Sequence, residues 1–199
     1  MEFFIPTFLK MFFIMTPFFV LSVFLTLTDG ATNQEIRSLA IRVTISVIII
    51  SLVLLFFGKY IFEIFGITLD AFKIGAGSLL FLTAVELVRG NKEGQKLGDR
   101  NLSDIAVVPL ALPITIGPGT IGILLVMGAE FRSFPHMLFG SFALICAILL
   151  IGLMLFLSSS INKFIGKQGL LIISKITGLF LAALSAQIVF SGIKNFLEI

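Results

Sequence analysis

Of the 199 residues, 58% are hydrophobic and 13% charged, and the mean hydropathy is +1.14; a soluble domain carries about a quarter charged residues, so the chain belongs in a lipid bilayer. The net charge of +3 is dispersed over short loops, which leaves no clustered basic face and excludes nucleic acid as a partner. Cys146 is the single cysteine, which excludes an internal disulfide and a thiolate metal cluster.

Six apolar segments follow one another, with ends placed to within a few residues. The first runs from Phe3 to Thr28. Its start, Met1-Glu2-Phe3-Phe4, lacks the basic run of a signal peptide, and no small-residue cleavage site follows, so it reads as a retained membrane helix. Lys10 lies in its outer third. Pro17 lies near its middle, where a missing N–H and a clash with the carbonyl four residues back interrupt a helix. Ser22 and Thr26 are four apart and share a face. The polar turn Asp29 to Arg37 leads to a second segment, Leu39 to Phe57, which Gly58-Lys59 is expected to end. Phe65-Gly66-Ile67 punctuates the way to the third, Leu69 to Val88, and a polar loop follows at about 89–104.

The fourth segment is the anomalous one. From Ile105 to Ala129 no residue is charged, which is long enough to cross a bilayer, yet Pro109, Pro113, Gly117, Pro118 and Gly119 are residues a regular helix excludes. Broken helix at membrane depth is tolerated only against protein or a water-filled cavity. After the break, Thr120 can restart a helix whose first N–H groups have no partner, a place suited to a carboxylate or other small anion. Pro113, Thr115, Gly117, Pro118, Gly119 and Thr120 are therefore candidate substrate-binding residues, beside the plainer reading of a kink met by neighbouring helices. A short connection holding Glu130, Arg132, Pro135 and His136 leads to the fifth segment, Met137 to Leu157, and the stretch Ser158 to Gly169 connects it to the sixth, Leu171 to Phe196.

The two halves look related. Lys73, Ile74, Leu79, Leu82, Thr83, Ala84 and Gly90 match Lys175, Ile176, Leu181, Leu184, Ser185, Ala186 and Gly192 at an offset of 102, and Pro17 can be laid on Pro113 at an offset of 96. The expected fold is all-α: six transmembrane helices as two inverted three-helix repeats, about 1–90 and about 105–199, in one integral membrane domain with helices 1 and 4 broken. Nine Lys and Arg fall on one side and five on the other, which puts the richer side in the cytoplasm and both termini outside.

Other polar residues have a packing reading and a site reading. In the sixth segment Gly178, Ala182, Ser185, Val189 and Gly192 follow helical spacing and suit close helix packing, with Ser185 and its mate Thr83 as the candidates to line a path. Gln187 at membrane depth needs partners and could face a cavity. Glu86, three residues before Arg89, suits an interfacial ion pair, and Lys73 and Lys175 are placed to snorkel. His136 is the single histidine, and neither His-Glu-x-x-His, Gly-x-Ser-x-Gly nor a phosphate loop occurs, so the sequence points away from an enzyme, a metal or a cofactor.

Pro109-Leu-Ala-x-Pro113 with Gly117-Pro118-Gly119-x-Ile121, Phe65-Gly66-Ile67-x-Leu69-x-Ala71-Phe72-Lys73-Ile74-x-x-Gly77, and Gly178-Leu179-x-Leu181-Ala182-Ala183-Leu184-x-Ala186-Gln187 resemble the MarC family, the bacterial inner-membrane proteins that include the SnatA-type neutral amino acid transporters. The resemblance implies inverted three-helix repeats, outward termini and proton-coupled movement of small neutral amino acids. Phe19, Val20 and Ser22 stand where the family's first-segment pattern has glycine, asparagine and a second proline. The expectation is a secondary transporter of small neutral amino acids or related metabolites, with its site between the first and fourth segments and Pro17, Ser22 and Thr26 lining the wall opposite the fourth-segment break. Export of another metabolite, a membrane scaffold and assembly as a homo-oligomer stay open.

Overall fold

A computed structural model describes residues 4–90, 115–131 and 134–197. Among these residues there is no strand. The helices are α1 (Phe4–Ile14), α2 (Pro17–Leu27), α3 (Asn33–Phe65), α4 (Leu69–Arg89), α5 (Pro118–Glu130), α6 (Phe134–Phe156) and α7 (Ser158–Phe196). Among the described residues, five stretches are long and apolar enough to cross a membrane: Phe4–Leu27, Asn33–Gly58, Leu69–Arg89, Pro135–Phe156 and Gln168–Phe196, with Pro118–Glu130 as a shorter apolar helix.

The first segment breaks where Pro17 requires it. With no N–H at Pro17, the Phe13 carbonyl instead accepts the Thr16 N–H at 3.0 Å, and Thr16 swings to φ 48°, ψ 56°. That left-handed conformation is strained for a β-branched residue and marks a true interruption. Each half, α1 and α2, has 11 residues and reaches about 16 Å. Only together do they cross the roughly 30 Å hydrocarbon core.

Local chemistry sets most of the other ends. Thr32 and Glu35 form a reciprocal cap on α3: the Thr32 N–H donates to Glu35 Oε2 at 2.8 Å and the Glu35 N–H to Thr32 Oγ1 at 3.3 Å. Gly66, at φ 62°, closes α3, and Thr68 then caps α4 by accepting from the Ala71 N–H. Two expectations need correction. The apolar span does end at Gly58, but the helix does not: α3 runs on to Phe65, and Gly58 lies against the backbone of Leu125 in α5, a contact its missing side chain serves. Nor is Ser158 to Gly169 a plain connection, since the chain is helical from Ser158 and only kinks at Gly166, φ 72°.

The helices assemble through close approaches. α4 and α7 form the most extensive antiparallel pair. A Cβ at Gly77 would lie 3.2 Å from the Ser185 carbonyl, and one at Gly178 would lie 3.0 Å from the Ala84 carbonyl. The small residues of the sixth segment thus include packing residues, as their spacing suggested. α5 wedges between α3 and α4, while α6 receives α1 and α3 and α7 receives α2. The buried centre includes Met11, Ile14, Met15, Ile116, Ile123 and Leu124, so the interruptions sit in the middle of the core rather than at its edge.

Candidate functional site

The α5 helix starts in the interior. Gly117 is its N-cap in an extended conformation and Pro118 its first residue, so the Gly119 and Thr120 N–H groups have no intrahelical partner. At 13 residues α5 reaches only about 20 Å, less than the hydrocarbon core. The other end of the problem lies in α1, where the break at Pro17 leaves the last carbonyls without helical donors. The two needs meet: the Thr120 hydroxyl donates to the Ile14 carbonyl at 3.3 Å, across 106 residues of chain. The negative end of the α1 dipole thereby faces the positive end of α5. Thr120, Thr115 and Thr16 are all buried, at 4%, 2% and 4% exposure.

The remaining candidates scatter around this junction. Pro17 is buried at the start of α2, Gly117 half-buried and Pro118 exposed, whereas Pro113 lies outside the described residues. Gly119 packs face-on against α4, where a Cβ would stand 2.8 Å from the Leu80 Cα. Ser22 is half-buried and Thr26 exposed, and the Thr26 hydroxyl donates back to the Ser22 carbonyl at 3.0 Å. Thr83 and Ser185 likewise donate within their own helices, to the Leu79 carbonyl at 3.1 Å and the Ala182 carbonyl at 2.7 Å. Ser185 is fully buried.

Gln187 is different, because it lines a cavity of about 360 Å³. This cavity lies between α1, α4, α5 and α7, at the end of the molecule where the chain termini emerge. Its floor includes Ile123, one turn beyond Thr120, and its wall includes Lys10, one turn before Ile14. The cavity therefore reaches to within about a turn of the junction between the two breaks. Lys73 and Glu130 complete the charged lining, and their side chains meet at 2.7 Å. Lys73 also lies 3.5 Å from Asp70, which accepts from Asn195 at 3.3 Å.

This corrects the snorkelling expectation for Lys73, which is 8% exposed and paired inward. Glu130, expected in a connection, is the last residue of α5 and so is aimed by it. Glu86 is exposed and makes no ion pair among the described residues, Arg89 included. Lys10, Lys73 and Glu130 escaped the sequence-based candidate set. The available signal was charge inside or at the edge of apolar segments, which in membrane proteins marks pathways more often than anchors.

Comparison with known proteins agrees with this architecture. A family model described as MarC family integral membrane protein matches residues 1–197. A UPF0056 membrane protein of Aquifex aeolicus is 37% identical, covering 98% of this chain and 94% of its own. Another from Methanocaldococcus jannaschii is 33% identical, with 98% of each chain covered. The UPF0056 membrane protein YhcE of Escherichia coli is 31% identical over 94% of this chain and 90% of its own. No solved structure matches the chain. It is a member of the MarC family of integral membrane proteins.

Proposed function

We propose that the protein is a secondary transporter of small neutral amino acids or related metabolites, proton-coupled, in the bacterial inner membrane with both termini outside. The observation that carries the reading is the Thr120–Ile14 hydrogen bond, which joins two interrupted segments in the core beside a cavity. Interrupted helices that meet at membrane depth offer free backbone donors and acceptors, and a small zwitterion can use both.

The same reading includes an inverted repeat, which these correspondences support. Pro17 and Pro118 both occupy the first position of a half-helix, at an offset of 101. The punctuating Gly66 and Gly166 share positive φ at an offset of 100. Packing follows suit: α4 on α7 and α3 on α6 each pair an element with its own mate, and α4 on α5 corresponds to α7 on α2. The test is uptake of labelled alanine, glycine and serine into proteoliposomes under an imposed pH gradient. Uptake above protein-free vesicles that collapses with the gradient is expected. Absence of flux for all three, with or without the gradient, would overturn the proposal.

A further inference from the structure

A second, smaller cavity of about 140 Å³ opens at the end of the molecule opposite the termini, between the start of α3 and the elbow that joins α6 to α7. Its walls fix its depth in the membrane. Asn33 begins the span Asn33–Gly58 and Phe156 ends the span Pro135–Phe156, so the cavity sits at headgroup level whichever face is cytoplasmic. Among the described residues its charged lining is cationic, Arg37 from α3 and Lys163 from α7, and the Asn33 amide with the Ser159 and Ser160 hydroxyls adds donors. The Arg37 guanidinium lies 5.0 Å over the Phe156 ring, which holds a cation at the cavity wall and leaves its in-plane N–H groups available. Glu35, the acid nearest to Arg37 in sequence, is committed to the α3 cap, where its Oε2 accepts the Thr32 N–H at 2.8 Å and the Thr32 hydroxyl at 2.7 Å. Ser158, flanked by the lining residues Leu157 and Ser159, is fully buried, and its hydroxyl has no hydrogen-bond partner among the described residues. Next to Lys163, Phe164 is 93% exposed, and at this depth an exposed ring meets acyl chains.

We propose that this cavity binds the phosphate group of an anionic lipid, with Arg37 and Lys163 on its oxygens, the Ser159 and Ser160 hydroxyls as further donors and Phe164 beside the acyl chain. The Arg37 fork matches two phosphate oxygens, and Lys163 supplies a second positive charge from the facing element. A free phosphate shares this chemistry; the headgroup-level position and the exposed ring favour the lipid. Binding is independent of the transport reading. Only the leaflet depends on orientation: with this end cytoplasmic, the lipid comes from the inner leaflet, where anionic headgroups meet basic pockets between helices.

The experiment is native mass spectrometry of the full chain, delipidated in detergent and titrated with dioleoyl phosphatidylglycerol or with dioleoylglycerol, which has the same chains and no phosphate. A second arm competes the bound lipid with inorganic phosphate at constant ionic strength. The wild type should hold phosphatidylglycerol at least about tenfold more tightly than dioleoylglycerol, the worth of one charge-assisted hydrogen bond. Arg37→Gln should weaken the phospholipid about tenfold and Lys163→Gln about fivefold, with Arg37→Lys between wild type and Arg37→Gln because it keeps the charge and loses the fork. Arg42→Gln removes an exposed cation of α3 outside the cavity lining and should leave the affinity unchanged, which separates a site from general attraction to a basic end. Should Arg37→Gln fail to fold, Lys163→Gln against Arg42→Gln and the wild-type lipid series decide. Equal affinity for the two lipids, or a loss in Arg42→Gln as large as in the cavity variants, overturns the site. Inorganic phosphate that binds more tightly than the phospholipid, with the same dependence on Arg37, overturns the lipid as occupant and assigns the site to a soluble phosphate; weaker competition supports the lipid.

Discussion

The Ile14 carbonyl owes its availability to the break at Thr16 and Pro17, which ends α1 before a helical donor can reach it. Thr120 answers it with a hydroxyl from the first turn of α5. Thr120→Val keeps the shape and removes the donor, leaving a buried carbonyl unpaired. The expected loss is about 1–2 kcal/mol in thermal unfolding of the detergent-solubilised protein, with Thr120→Ser close to wild type. Sequence alone marked Thr120 as a hydroxyl beside a break, but its partner is backbone of an apolar residue and carries no signal of its own. Lys73 was misread for a related reason. A lysine near a helix end looks like an anchor unless the carboxylate facing it is known, and Glu130 is 57 residues away.

Among the helices, what was legible was whatever is decided locally. Gly66 and Gly90 stop α3 and α4 through positive φ, and Thr32 with Glu35 starts α3, each within a few residues of chain. The break at Pro17 was readable for the same reason. The packing role of Gly58 was not, because the Leu125 it admits comes from another helix. The same logic sorts the glycines experimentally. Gly119→Ala places a Cβ 2.8 Å from the Leu80 Cα, where backbone cannot yield cheaply, and should destabilise by about 1–3 kcal/mol. Gly75→Ala in α4 meets nothing within 4 Å and should stabilise by up to about 1 kcal/mol. Both are read as shifts in unfolding temperature. A larger side chain at Gly119 therefore reports on α4–α5 packing before it reports on flux.

At the scale of the whole molecule, the all-helical fold was legible from composition and segment length, whereas the cavity was not, since it is made by four helices from both halves. The proposed orientation rests on charge. Arg37, over the Phe156 ring at 5.0 Å, and Lys163 lie at the end opposite the termini. With that end cytoplasmic, a membrane-impermeant maleimide applied to intact cells should label Lys194→Cys and spare Ser160→Cys in a Cys146→Ala background. The reverse labelling would invert the topology.

The central claim is that two interrupted segments meet and there pass a small zwitterion. Counterflow in proteoliposomes loaded with unlabelled alanine tests it most directly. The wild type should accumulate labelled alanine transiently above its equilibrium level. Thr120→Ser should retain this, and Thr120→Val should reduce the initial rate about tenfold while remaining folded. A wild type without counterflow, or a Thr120→Val protein as fast as the wild type, would contradict the account.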